Sequence, residues 1–415
     1  MWRRILDWLA DLGIRMQVRT LVMISVFIPA IAALVMIETA PRETVTSSIV
    51  MYLAIWVLLC IPVSKLLEEI LALRNITLCN NFCRSLQEGK GLQELHLPPE
   101  KGGENDFIRL KRNMYWMGRS LLDREHRIAG MLSELEEVQR QVMDSIECAS
   151  AIQHQMQVPV TRLKDYVADG YILWKPRDVV GGDSYWLRRT PGGVFVGVFD
   201  CTGHGVPGAF ITLIVHSMLD NMDAAAVEGR PGLVLESLNR RLKAFLGQDG
   251  SEGPLAKRSN DGLEMGLCWM PNDADSLCYA GAGISAFMVA DGATQELKAE
   301  RIGIGYREAP LDHAYAEQRV SLVGIKGVHL STDGLFDQVG GEKQLPFGKK
   351  RFLKLIAEFS AHAELREQGE HGGHPFQTQQ AGIWELFETH RGAHARRDDV
   401  TVLGFAPGRV ARERA

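Results

Sequence analysis

Paired cysteine motifs and a strong net charge are missing from this sequence, and each absence excludes a class of protein. The 415 residues include seven cysteines, none of them in a CxxC pair, so neither a zinc knuckle nor a disulfide framework is predicted. The formal net charge is only −5, so no nucleic-acid partner is expected. No histidine-kinase or cyclase signature is visible. The length predicts two or three structural units.

Two long apolar runs stand near the N-terminus, at residues 21–37 and 45–63. Each approaches the roughly 20 residues that cross a bilayer, so we predict two transmembrane helices within residues 1–64. The alternative is a cleaved signal peptide followed by one span, because four arginines precede the first run: Arg3, Arg4, Arg15 and Arg19. A second span after so short a loop, and a poor cleavage site, favour two spans.

The basic N-terminus predicts the orientation of these spans. The positive-inside rule places the N-terminus in the cytoplasm, and the second span then returns the chain to the cytoplasm at Lys65. The loop at residues 38–44 is too short to fold into an external sensory domain. We therefore expect a multi-pass protein of the inner membrane whose remaining residues lie in the cytoplasm.

A helical linker is predicted between the membrane and the rest of the chain. Residues 62–120 resemble a HAMP relay module, and an ordinary helical hairpin is the alternative. Residues 121–158 show a heptad pattern, interrupted at three seam positions by Glu125, Gln139 and Gln153. The pattern favours a parallel homodimeric coiled coil over a single amphipathic helix packed on its own domain. The seam comprises Leu121, Ile128, Leu132, Leu135, Val142, Ile146, Ala149 and Met156.

The second half of the chain, residues 160–407, has a different pattern, and residues 408–415 form a tail. Short β-like runs such as 194–199 and 327–331 alternate with turns and with helical stretches. Strands in bulk with interspersed helices predict an α+β domain in which helices cover the sheets.

Four aspartates share one feature, since each lies at the edge of a β-like run beside a turn-forming residue: Asp183, Asp200, Asp333 and Asp398. One Asp-Gly pair alone is first of all a turn signal. Several carboxylates that converge on one edge are the oxygen ligands that Mg²⁺ and Mn²⁺ prefer, and a two-metal site requires such a group.

The segments around these aspartates resemble the four signatures of bacterial PP2C-type phosphatases, most closely the SpoIIE/RsbU group. The segments are Lys175–Tyr185, Asp200–Ala209, Ser331–Gly334 and Asp398–Thr401, in the family's order. The resemblance extends over about residues 151–405. It implies a PP2C-like αββα sandwich with two Mn²⁺ or Mg²⁺ ions between the sheets.

The resemblance also implies roles for individual residues. Asp183 and Asp200 would bind metal and help to activate a water, and the backbone carbonyl of Cys201 would be a further ligand. Asp333 and Asp398 would complete the second ion. Three residues would support the ligands from behind: Gly182, Gly334 and Asp399, the last of which stands where the broader family often has asparagine.

Two further positions keep alternatives open. His204 is either a proton donor to the leaving oxygen or a structural residue at the turn before a helix. Arg177 either binds phosphate or forms an exposed salt bridge. The sequence Ala282–Ser285 lacks the histidine and asparagine that many relatives have there, which leaves a substrate contact at that place in doubt.

The expected function is hydrolysis of phosphoserine or phosphothreonine on a regulatory partner protein, typically of the STAS or anti-anti-sigma type in the resembling group. The membrane-proximal helices would control the reaction. The alternative is a catalytically silent scaffold that docks a signalling partner at the membrane. The presence of all four motif aspartates favours the enzyme.

Overall fold

The computed structural model describes residues 106–250, 260–290, 293–366 and 375–408 continuously, together with residues 74–88 and scattered helical positions between residues 23 and 62. The chain divides into two compact units, residues 1–139 and 140–415. Within the described ranges, no helix combines the length and the apolar character needed to span a bilayer. Part of each predicted span, and residues 89–105 of the predicted relay module, lie outside the described residues.

The linker forms two helices, α1 (Arg74–Gln87) and the much longer α2 (Asp106–Met156). Helix α2 passes without a break through residue 120, where the sequence predicts the boundary between a relay module and a coiled coil, and that boundary stays a prediction. Seam residues from Leu121 to Val142 are exposed, whereas Gln153 is only 1% exposed within the second unit. The heptad seam is therefore exposed from Leu121 to Val142 and buried at Gln153, before α2 ends. The homodimer stays a prediction.

The second unit contains two five-stranded antiparallel sheets. The first has the strand order β1-β12-β9-β6-β7 and the second β2-β3-β4-β5-β8. Their strands are β1 (Asp169–Lys175), β2 (Asp183–Arg189), β3 (Gly193–Cys201), β4 (Leu263–Pro271), β5 (Ser276–Ala282), β6 (Ala286–Ala290), β7 (Ala293–Leu297), β8 (Gln318–Ser321), β9 (Gly327–Ser331) and β12 (Val400–Ala406). A small hairpin is formed by β10 (Val339–Gly340) and β11 (Leu345–Pro346).

Helices cover the outer face of each sheet. A 3₁₀ turn (Val160–Asp165) precedes β1, and the helices are α3 (Gly205–Asp220), α4 (Ala224–Val227), α5 (Pro231–Leu246), α6 (Gly334–Asp337), α7 (Lys349–Arg366) and α8 (Pro375–Arg391). Helices α3 and α5 pack on the second sheet, and α7 and α8 on the first. The expected α+β fold, with helices outside two sheets, is confirmed.

Strand β3 shows why its sequence builds this arrangement. Val194, Val196 and Val198 lie in the core between the sheets, whereas Phe195 and Phe199 lie in the core under α3 and α5. Because successive side chains of a strand point to opposite faces, a strand that is buried on both faces must be apolar throughout. The run breaks at Asp200, one residue before the strand ends.

Candidate metal centre

The four aspartates of the sequence motifs occupy strand ends in the structure. Asp183 begins β2 and is the cross-strand partner of Asp200, near the end of β3. Asp333 follows β9 by two residues, and Asp398 precedes β12 by two. The carboxyl of Asp200 lies within hydrogen-bonding reach of those of Asp183 and Asp333, and Asp398 is near enough to repel Asp200. The structure therefore gathers all four.

Burial and repulsion between acidic groups raise the pKa of three of these carboxyls, those of Asp183, Asp200 and Asp333. Burial, followed by the charge of Asp399, raises the pKa of Asp183 to about 8. Burial and then Asp183 raise the pKa of Asp200 well above its usual range. Asp333 exposes part of its surface, but partial burial of its carboxyl, with repulsion from Asp337, raises its pKa as well. Removing like charges from water in one place is costly unless cations compensate them.

Neutral hydrogen-bonding groups offset part of this repulsion. Thr332 donates its hydroxyl hydrogen to Asp183 Oδ2 at 2.6 Å, and its own oxygen accepts from the Thr401 N–H at 3.0 Å. In the described part of the chain, no group of three or more His, Cys, Asp and Glu side chains is already arranged to hold a metal ion. The carboxyl of Asp200 instead contacts that of Asp183 and that of Asp333. Oxygen donors that repel one another at strand ends nevertheless suit hard divalent cations.

Backbone oxygens lie beside the carboxylates because glycine lets the chain approach closely. A Cβ atom on Gly182 would lie 2.7 Å from the Cys201 carbonyl oxygen and 2.5 Å from that of Gly203. A Cβ on Gly208 would lie 2.1 Å from the same Gly203 oxygen. The Cys201 carbonyl is therefore next to the loop that delivers Asp183, as its predicted role as a ligand requires.

Asp399 is buried and binds backbone. Its Oδ1 accepts from the Arg177 N–H at 2.5 Å, and its Oδ2 from the Gly182 N–H at 2.6 Å. Gly334 packs closely behind it, because a Cβ there would lie 1.9 Å from the Asp399 carbonyl oxygen. The three supporting residues predicted from the sequence are thus in contact with one another or with the ligand loops.

Arg177 and His204 lie near this cluster, and the structure gives each a specific neighbour. The Arg177 guanidinium donates to the Arg397 carbonyl at 3.1 Å, which is a hydrogen bond to the backbone and not a salt bridge to a carboxylate. His204 Nδ1 lies 3.1 Å from Asp178 Oδ2, in a pair whose side chains are about half exposed. His204 also precedes the first residue of α3 without capping it through its side chain. Catalytic roles for both residues stay predictions.

Sequence reasoning missed a buried polar network next to Asp183. Gln157 Nε2 donates to Ser184 Oγ at 2.8 Å, and Ser184 Oγ lies 2.8 Å from His216 Nε2 on α3. One signal was present, because Gln153 interrupts the heptad seam and turns out to bind Gly181. Glutamine at a seam position of a helix indicates a polar partner.

The sequence matches the family model described as Stage II sporulation protein E (SpoIIE) over residues 190–406, more than half of the chain. This chain belongs to the SpoIIE family. The match includes Asp200, Asp333 and Asp398, and Asp183 lies just before it. The SpoIIE-family domain with its PP2C-like fold makes the chain a PP2C-type serine/threonine phosphatase. No curated protein matches the chain.

Solved structures are also similar to more than half of the chain. The SiaA-PP2C domain of Pseudomonas aeruginosa is 34% identical, covers 65% of this chain and 98% of its own, and gives a TM-score of 0.54. The RsbU and RsbW domains of a Mycobacterium tuberculosis protein are 18% identical and cover 58% of this chain and 60% of their own, with a TM-score of 0.43. The first of these supports the PP2C-like fold.

Proposed function

We propose that this SpoIIE-family phosphatase uses two divalent cations to hydrolyse phosphoserine or phosphothreonine on a regulatory partner protein. The observation that supports this most is the convergence of Asp183, Asp200, Asp333 and Asp398, a cluster of acidic groups whose charges repel one another. A cluster of this kind suits Mn²⁺ or Mg²⁺.

Each residue of the cluster has a definite task in this proposal. Asp183, Asp200 and the Cys201 carbonyl would hold one cation, and Asp333 and Asp398 would complete the other. When bound, such a pair supplies an activated water and neutralises charge on the phosphoryl oxygens. Thr332 fixes the orientation of the Asp183 carboxyl through its 2.6 Å hydrogen bond.

The partner is proposed to be a phosphorylated protein of the STAS or anti-anti-sigma type, on the strength of the resemblance to the SpoIIE/RsbU group. Arg177 at the edge of the cluster is the candidate contact for phosphate, because a guanidinium pairs well with phosphoryl oxygens. His204, oriented by Asp178 at 3.1 Å, is the candidate donor to the leaving oxygen.

Control through the linker is the next part of the proposal, and the end of α2 supports it. This end and the two residues after it form hydrogen bonds along the segment that leads into Asp183 and β2. The pairs are Ser150 with the Val179 carbonyl, Gln153 with Gly181, Gln157 with Ser184, and the Val158 carbonyl with Tyr185. A rotation or a shift of α2 would therefore disturb the position of Asp183.

The membrane anchor and the linker dimer complete the proposal. Two apolar runs at residues 21–37 and 45–63 support an inner-membrane protein whose catalytic unit is cytoplasmic. Exposed seam residues support a parallel homodimer, since Leu121, Ile128, Leu135 and Val142 each expose about half or more of their surface.

Turnover of p-nitrophenyl phosphate by the purified full-length protein tests the proposal. We expect hydrolysis that depends on added Mn²⁺ and stops on chelation, and Asp200→Ala should lose nearly all of it because it removes the residue that lies between Asp183 and Asp333. Full activity of the variant, or activity without metal, would contradict a metal mechanism. Absence of turnover in the folded, Mn²⁺-loaded protein would favour the docking scaffold.

A further inference from the structure

Asp399 directly follows the predicted ligand Asp398, yet its side chain is turned into the protein. It is only 2% exposed. Its two carboxylate oxygens accept from different backbone groups, Oδ1 from Arg177 and Oδ2 from Gly182, with a longer contact of 3.4 Å from the Asp183 N–H to Oδ2. One side chain therefore holds both ends of the segment that leads into Asp183.

This double acceptance requires a carboxylate. An asparagine side chain has one acceptor oxygen and one NH₂ donor, so in either orientation it would set a donor against one of the two N–H groups. A buried N–H without an acceptor costs about 1–3 kcal/mol. The broader family's asparagine would therefore not reproduce the contacts that this chain makes with Arg177 and Gly182.

Glycine at position 181 is part of the same arrangement. A Cβ there would lie 2.5 Å from Asp399 Oδ2 and within 2.9 Å of the other two carboxyl atoms, so no side chain fits. The other face of Gly181 is held by Gln153, whose Nε2 donates to the Gly181 carbonyl at 2.8 Å. The Gly182 carbonyl accepts from Thr212 Oγ1 at 2.7 Å. Hydrogen bonds and close packing thus hold Gly181 and Gly182 in place.

We propose that Asp399 is a positioning residue of the phosphatase and not a metal ligand. It holds the backbone of residues 177–183 so that the Asp183 carboxyl meets that of Asp200. The inference rests on the proposed metal-dependent function. It adds that the negative charge of Asp399 is kept near a cluster that it repels, because only a carboxylate satisfies both N–H groups.

Two measurements on the purified full-length protein test this proposal. Hydrogen exchange of the metal-free protein should be about tenfold faster or more over residues 177–183 in Asp399→Asn, with unchanged exchange in β4 and β5. Titration with Mn²⁺ alone should show affinity reduced by about 10- to 100-fold, the usual effect of a lost supporting contact, with the same number of ions per chain. Turnover at saturating Mn²⁺ should fall much less.

Asp337→Asn is the matched control, because Asp337 also places a carboxylate near the cluster. An equal loss of Mn²⁺ affinity in this control would show that the loss of a nearby negative charge explains the weaker binding, and it would overturn the proposal. If Asp399→Asn binds one ion fewer per chain, Asp399 is a metal ligand and the proposal is overturned. Unchanged hydrogen exchange over residues 177–183 in this variant would also overturn it. If the unchanged protein binds no Mn²⁺, the proposed function fails, and the exchange result still decides whether Asp399 holds the loop.

Discussion

At the scale of single residues, the candidate metal centre consists of carboxyl groups in positions that disfavour their ionised form. Asp183 is 1% exposed, and Asp399 and Asp200, which both act on its carboxyl, are also acidic. Such a cluster destabilises the fold unless protons or cations neutralise it. The same repulsion creates affinity for a divalent cation, because binding removes the cost.

The metal-free protein should lose stability as pH rises from 6.5 to 8. Folded Asp183 keeps its proton up to a pKa of about 8, whereas the unfolded carboxyl has released it near pH 4, so the folded state binds more protons and stability falls with rising pH. One such group changes the free energy of unfolding by at most about 2 kcal/mol over this window. The midpoint of thermal unfolding in a chelator measures the effect.

The range from pH 6.5 to 8 is chosen because two buried histidines make stability rise with pH at lower pH, which is the opposite effect. Burial lowers the pKa of His216 and His329 to about 4 from an ordinary value of 6.5, so stability from this source rises most steeply below pH 6.5 and levels off above it. Asp183→Asn should make the fall between pH 6.5 and 8 shallower, and Asp200, whose pKa is also raised, accounts for what remains. An equally steep fall in that variant would show that the carboxyl of Asp183 is not its source.

The aspartates of the centre were predictable from sequence, but the contacts made by the residues that support them were not. Asp183, Asp200, Asp333 and Asp398 stand in short motifs beside glycine or at strand edges, so local sequence marks them. The contact of Asp399 with Gly182 joins residues 217 positions apart, and no local pattern indicates it. Thr332 was visible within its motif, but its bond to Asp183 depends on how the two sheets meet.

At the scale of elements, the end of α2 is a structural part of the centre. The heptad pattern predicted a helix correctly, but it assigned Gln153 to a seam between two chains, whereas that side chain binds Gly181 of its own catalytic unit. Periodicity shows which face of a helix is buried, and it does not show what buries it.

Gln153→Ala should raise the Mn²⁺ concentration that gives half-maximal turnover by about fivefold to thirtyfold. The variant loses the hydrogen bonds that hold Gly181, worth about 1–2 kcal/mol in total, and excess Mn²⁺ should restore most of the activity. Gln139→Ala is the matched control, because Gln139 interrupts the same seam but is exposed. Equal Mn²⁺ requirements in both variants would contradict a link between α2 and the metal loop.

At the scale of the whole catalytic unit, two antiparallel sheets present their strand ends to one place. Strands β2 and β3 bring Asp183 and Asp200 from one sheet, and β9 and β12 lead to Asp333 and Asp398 from the other. The α+β class followed from the pattern of runs and turns. The strand orders did not, because pairs such as β1 with β12 join the two ends of the domain.

Anomalous diffraction at the manganese edge, measured on a crystal of the protein grown with Mn²⁺, would locate the cations themselves. We predict two peaks about 3.5–4 Å apart among the carboxylates of Asp183, Asp200, Asp333 and Asp398, and the loss of both in Asp200→Ala. Anomalous peaks at other places in the protein, or none at this cluster at saturating Mn²⁺, would contradict the account.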